Sequence, residues 1–235
     1  MRVLTWNLYH GRAEPPAGRD LLGEFAARLA GWEWDAALLQ EVPPWWPEPL
    51  ARACGAAGRS VLTSRNQVLA ARKFVAVRWP DLIKSGGGGA NAILIRGQGG
   101  ITAHASRRLR LWPERRHVHA VRTGSGLWVA NLHAQVRPHA RSRADVAAAR
   151  AAVLRWAGDA PAVLGGDFNV RDPAMPGFVD AAWHGVDHVW ARGLTKAAPG
   201  ERLDRGTLSD HAPVRAVLAS HASFAGTAGS GGEPG

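Results

Sequence analysis

The sequence predicts one domain of the α/β or α+β class with mostly antiparallel strand pairing. Strand-like and helix-like segments mix along the whole chain, and hairpin signals cluster in its middle. No linker-like stretch or internal repeat divides the 235 residues, a length that suits one large domain.

Taken in order, residues 2–8 (RVLTWNL) read as a strand, and 19–31 (RDLLGEFAARLAG) carry apolar residues at helical spacing. Residues 35–40 (DAALLQ) are a short apolar run that suits a buried strand. Residues 45–57 read as a helix whose Pro47 and Pro49 fall in the first turns, where proline is tolerated. The run SGGGGAN (85–91) is a loop, followed by a strand at 92–96. Strands are expected near 101–111, 117–123 and 127–132, with TGSG (123–126) turning between the last two. Residues 139–157 form the longest helix, then come strands at 161–166, 186–192 and 213–218. The domain is expected to span 1–219, with 220–235, small, polar and glycine-rich, as a disordered tail.

Composition narrows the setting. Cys54 is the only cysteine, so no internal disulfide framework exists and a reducing, cytoplasmic location is expected. The start, MRVLTWNLYHG, lacks the apolar core of a secretory signal, and no apolar run is long enough to span a membrane. The formal charge of +10 is carried by arginine, with only Lys73, Lys84 and Lys196 as lysines. Such a surface attracts phosphates, although a genome-wide compositional bias gives arginine too.

Polar residues gather where the expected strands end: Asn7, Gln40-Glu41, Asn131 with His133, Asp167 with Asn169, Asp187-His188 and Asp210-His211. One such residue is commonly a turn cap, but six such ends in one domain point to a shared electrostatic task at the mouth of a rigid sheet. Oxygen donors without a cysteine cluster suit a hard cation such as Mg²⁺ or Mn²⁺. Zinc is the weaker option, because no segment expected to be helical carries two histidines at ligand spacing. Alternation along an extended GGDFN segment is expected to turn Asp167 and Asn169 to the same side.

The motifs TWNL, LLQEV, NLHA, GGDFNV, VDHV and LSDHAPV occur in that order over residues 3 to about 218. In this the chain resembles the endonuclease/exonuclease/phosphatase family, the metal-dependent phosphoesterases similar to deoxyribonuclease I. The resemblance implies a four-layered αββα sandwich with the site at one edge of two mostly antiparallel sheets. It implies in-line attack of water on phosphorus, with Asp167 as the base and Asn169 holding the water or a phosphoryl oxygen. Glu41 is the implied principal metal ligand, with Asn7 near the metal and Asp210 a second ligand. His211, oriented by Asp187, would donate to a phosphoryl oxygen, and His133 would be a second donor or general acid near the leaving group. The carboxylate orienting His133 is not evident; Asp81 is a candidate by sequence position.

Arg137, Arg141 and Arg143 follow His133 and are candidates for substrate phosphates, Arg137 foremost. Trp45, Trp46 and Trp112 lie near expected loops and could stack on bases, but tryptophan is mostly core material. The AP-site repair branch usually has tyrosine near the place of His133, which argues against that activity. The chain is short for the family, and no amphipathic membrane-docking segment is evident. The expected activity is a metal-dependent phosphodiesterase, favouring DNA or RNA and acting as a monomer. The alternative is a phosphatase or sphingomyelinase-like enzyme on a small phosphorylated or lipid substrate. A binding scaffold without turnover would not require the full set of polar residues.

Overall fold

The computed structural model describes residues 1–220; Ser220 closes the last strand, and residues 221–235 of the expected tail lie outside the described residues. Twelve strands form two six-stranded sheets. The first is built from β1 (Arg2–Asn7), β2 (Ala36–Val42), β3 (Ala57–Leu62), β4 (Ala90–Ile95), β11 (Leu194–Arg202) and β12 (Val214–Ser220), in the order β11-β12-β1-β2-β4-β3. The second holds β5 (Ile101–Arg110), β6 (Arg116–Thr123), β7 (Trp128–His133), β8 (Ala162–Asp167), β9 (Val179–His184) and β10 (Asp187–Arg192), in the order β5-β6-β7-β8-β10-β9.

Helices α1 (Leu22–Gly31) and α2 (Pro47–Ala53) cover the outer face of the first sheet through Trp6, Phe25, Leu29, Trp46 and Leu50. Helix α5 (His139–Ala157) covers the second through Val146, Ala149 and Val153. A third core, with Val3, Leu38, Ile93, Val129, Val163 and Val189, fills the space between the sheets. This is the expected αββα sandwich. Two short helices, α3 (Leu69–Arg78) and α4 (Pro80–Ile83), lie between β3 and β4, and α3 buries none of its residues.

Pairing is antiparallel except at the centre of each sheet, where β1 runs parallel to β2 and β7 parallel to β8. A parallel pair needs a crossover, and α1 and α5 lie on these two. The winding is the same in both sheets: a parallel pair joined through a helix, then an edge strand, then the strand between. No sequence repeat accompanies this repeat of topology.

The elements that sequence reading missed are mostly edges. β3, β9 and β11 lie at sheet margins, and β3 and β11 are largely exposed. A strand exposed on both faces carries no apolar alternation to be read. The helix expected over 45–57 is α2 alone; after it Gly55 turns at φ 59° and the chain enters β3.

One consequence concerns acid. His119 on β6 is fully buried, and burial, with neighbouring His104 and His117, lowers its imidazole to about 3. Burial also lowers His117 and His104. The unfolded ring takes a proton near pH 6.5 and the folded one does not, so stability is present above about pH 6.5 and is lost as pH falls toward 3. Urea unfolding is expected to show about 2 kcal/mol lost between pH 7 and 5 from His119 alone. His119→Gln should flatten that slope whatever its effect on stability at pH 7.

Candidate active site

Both parallel pairs end at the same edge of the sandwich, where open α/β sheets commonly bind ligands. Register sets Asn7 opposite Gln40, one residue before Glu41, and His133 opposite Asp167. β10 begins there too, with Asp187 opposite Asp167. The segment before β12 brings in His211: Ser209 Oγ donates to the Asn7 carbonyl at 2.6 Å, the His211 amide donates to Ser209 Oγ at 3.0 Å, and Trp6 Nε1 donates to the His211 carbonyl at 3.0 Å.

Behind this edge an amide pair joins the sheets. Gln40 Nε2 donates to Asn131 Oδ1 at 2.8 Å, and Asn131 Nδ2 donates to the carbonyls of Leu39 and Ala92, each at 2.9 Å. The two glycines before Asp167 have steric reasons. A Cβ on Gly165 would lie 2.7 Å from Leu38 Cδ1 of the facing sheet. On Gly166, at φ 141°, it would lie 1.9 Å from the Leu132 carbonyl oxygen.

Asp167 is the centre of the cluster and is buried. Asn7 Nδ2 donates to its Oδ2 at 3.1 Å and the Asn169 amide to its Oδ1 at 3.0 Å. His133 Nε2 lies 3.6 Å and His211 Nε2 4.0 Å from Oδ2. Asn169 does not reach this place by strand alternation. The strand ends at Asp167, Asn169 turns at φ 52°, and its Nδ2 donates to the Ala134 carbonyl at 3.0 Å. Left-handed backbone recurs around the site, at Tyr9 (φ 50°), His10 (φ 55°), Glu41 (φ 50°) and Ser209 (φ 64°). Such conformations cost about 1–3 kcal/mol each for non-glycine residues and cluster at functional sites.

The electrostatics divide the site. Burial, then the charge of Asp187, raises the Asp167 carboxyl to about 7, against a smaller pull from His211. Burial opposes charge on His211, but its 2.7 Å hydrogen bond from Nδ1 to Asp187 Oδ2 and the nearby carboxylates outweigh this and hold the ring up at about 10. His133 goes the other way, held well below its ordinary range by burial and then by Arg116. The edge therefore combines a carboxyl able to exchange a proton near neutral pH, a stable imidazolium and a neutral imidazole.

Glu41 stands beside this cluster, with His10 Nε2 3.1 Å from Oε2 and His133 Nε2 3.8 Å from Oε1. Two groupings could hold a cation. Asp167, Asp187 and His211 have ligand atoms within 4.8 Å of one another, but Asp187 and His211 already bond each other. Glu41 and Asp167 offer hard oxygen donors on either side of His133, whose Nε2 lies 3.8 Å from Glu41 Oε1 and 3.6 Å from Asp167 Oδ2, while Asn7 turns its Nδ2 to Asp167 and its Oδ1 accepts from the Tyr9 amide at 2.9 Å. Carboxylate oxygens of this kind suit a hard divalent cation.

The structure thus brings together Asn7, Glu41, His133, Asp167, Asn169, Asp187 and His211. Asp210 is exposed, and no hydrogen bond or ion pair ties it to the cluster among the described residues, but its charge helps to hold the His211 ring protonated. Arg137 is likewise exposed and unpaired among the described residues, while Arg141 lies over the Trp112 ring at 5.4 Å. Asp81 does not orient His133; its carboxylate accepts from the Gly18 amide at 2.7 Å. Trp46 is core and Trp45 packs against it, whereas Trp112 is 72% exposed. Sequence reading assigned no role to His10, Ser209 or Arg116, and set Asn131 among the polar strand ends without its part in joining the sheets. His10 and Ser209 lie within three residues of assigned ones, the only signal available; the joining role of Asn131 and the place of Arg116 become visible only once the sheets are stacked.

Several solved structures share this fold. A mannosyl-6-phosphatase of Bacteroides thetaiotaomicron is 14% identical with a TM-score of 0.69, covering 93% of this chain and 99% of that one. An endonuclease/exonuclease/phosphatase protein of Beutenbergia cavernae is 20% identical with a TM-score of 0.65, covering 93% and 71%. TDP2 of Caenorhabditis elegans is 15% identical with a TM-score of 0.63, covering 93% and 74%. No curated protein sequence matches the chain. The model of the endonuclease/exonuclease/phosphatase family matches residues 4–211, the span that carries every residue of the cluster, and the chain belongs to that family.

Proposed function

We propose that this protein is a divalent-metal-dependent phosphodiester hydrolase whose favoured substrate is nucleic acid. The observation that carries this reading is the buried Asp167 carboxyl, poised near pH 7 and ringed by Asn7, Asn169, His133 and His211. A base is most effective when its proton affinity lies near the working pH. In this reading Asp167 takes a proton from the attacking water while Asn169 helps align it. His211, cationic and oriented by Asp187, neutralises charge growing on a phosphoryl oxygen. His133 serves as a neutral N–H donor and not as an imidazolium acid, because burial and Arg116 disfavour its charged form. Glu41, with Asn7, would hold Mg²⁺ or Mn²⁺, which supplies Lewis-acid stabilisation of the phosphoryl oxygens when bound.

The charge of +10 supports a polyanionic substrate. A second reading, a phosphodiesterase or phosphatase on a lipid or small phosphorylated substrate, is favoured by one observation. The segment α3–α4 exposes Phe74 (69%) and Leu82 (77%) beside Trp79, and the turn after it reaches the site, where the Gly88 carbonyl faces His10 Nδ1 at 3.2 Å. No helix among the described residues is long and apolar enough to cross a membrane.

Hydrolysis of plasmid DNA and of bis-p-nitrophenyl phosphate, run side by side with Mg²⁺, Mn²⁺ and EDTA, separates these readings. Metal-dependent nicking that EDTA abolishes is expected; turnover of the small ester with intact plasmid would remove the nucleic-acid assignment. Asp167→Asn should lower kcat by about 10³-fold or more, with the fold retained by circular dichroism. Asp187→Asn acts through His211 and is expected to cost about 10–100-fold in kcat. It should also lower the His211 pKa seen by NMR; an unmoved pKa would deny Asp187 its positioning role.

A further inference from the structure

A small recess, open to solvent, adjoins the cluster. Glu41 and His133 form one wall; Ser64, Arg65, Glu114, Arg115 and Arg116 form the other. Neither Asp167 nor His211 lines it, so a phosphoryl group held between those two leaves it free. The recess is structured: the Arg115 amide donates to Ser64 Oγ at 2.5 Å, pinning the segment after β3 to the start of β6. Its charge is unbalanced. Three guanidiniums line it against two carboxylates, Glu41 and Glu114, of which Glu114 accepts from Arg65 Nη2 at 2.7 Å and from Arg116 Nη2. Arg116 is only 5% exposed, yet its Nε has no hydrogen-bond partner among the described residues. The Arg115 side chain is exposed and unpaired among the same residues. The free Arg115 guanidinium, beside the Arg116 side chain that lines the same recess, is suited to an oxyanion.

We propose that this recess is a second anion subsite that takes a substrate phosphate other than the one being cleaved. The enzyme would then prefer a phosphodiester that carries a further phosphate over one with neutral ends. The inference rests on reading the Asp167–His211 centre as a phosphodiester hydrolase. The further phosphate can be a chain-end monoester or the adjoining diester of a longer strand, and both present the oxyanion that the arginines recognise.

The test uses the full chain with Mg²⁺ and four thymidine substrates: the plain dinucleotide, its 5′-phosphorylated and 3′-phosphorylated forms, and the trinucleotide. The wild type is expected to show a kcat/KM at least about tenfold higher for one phosphorylated dinucleotide or for the trinucleotide than for the plain dinucleotide. Gain with the trinucleotide identifies an adjoining diester; gain confined to a phosphorylated dinucleotide identifies a chain end. Arg115→Ala and Arg116→Lys should bring that ratio toward one. Arg115 is the exposed position, so its variant keeps the test valid if the buried substitution disturbs folding. A wild-type ratio near one, or a ratio unchanged in Arg115→Ala, overturns the subsite. Hydrolysis of bis-p-nitrophenyl phosphate in the same preparation reports separately on the proposed chemistry. Calorimetric binding of the plain and phosphorylated dinucleotides applies the same ratio without requiring turnover.

Discussion

The hydrogen bond from Gln40 Nε2 to Asn131 Oδ1, with the two that Asn131 returns to the first sheet, fixes how the two halves of this molecule face each other. Apolar packing between sheets is non-directional and tolerates sliding. Buried amides do not, because a shift of register leaves donors and acceptors unmade at about 1–3 kcal/mol each. The bond lies one residue before Glu41 and two before His133. Each sheet supplies only part of the polar cluster, Asn7, Glu41 and His211 from one and His133, Asp167 and Asp187 from the other. Alignment of the two parts is therefore set by this polar seam and by the close approach that Gly165 permits.

The same edge concentrates costs that the interior has to cover. Asp167 is buried among other carboxylates, and Glu41 and Ser209 hold left-handed backbone. Three layers of apolar side chains behind the edge, from Phe25 and Trp46 outward of the first sheet to Val146 and Val153 on α5, supply the compensation. Rigidity and reactivity are thus separated along the strands: apolar residues over most of each length, polar ones at the last position.

Much of this was legible in the sequence for that reason. A buried strand that ends on an acid or amide announces both its packing and its terminus, so Asn7, Glu41, His133 and Asp167 could be assigned from their motifs. What stayed hidden depends on partners distant in the chain. The β3, β9 and β11 edges lack a buried face that would pattern them, and Arg116 looks like one arginine among many until Glu114 and the Ser64 segment are set against it. Asp210 sits beside His211 in sequence and acts on it through charge, while the turn at Ser209 leaves its side chain exposed.

The pairing of β1 with β12 carries a consequence for how the molecule comes into being. Arg2 lies opposite Val217 and Thr5 opposite Val214, so the first strand made waits for the last described one before its free edge is covered. The second sheet is contiguous in sequence from β5 to β10 and can assemble from contacts made within that stretch. The first sheet cannot, because β1 and β12 pair across nearly the whole described chain, a non-local contact that is costly to close. His211 arrives on that same late segment. A nascent chain can therefore hold a formed second sheet and α5 while lacking both a closed first sheet and a complete polar edge. During that interval the uncovered edge of β1 is the surface most open to mispairing or to a chaperone.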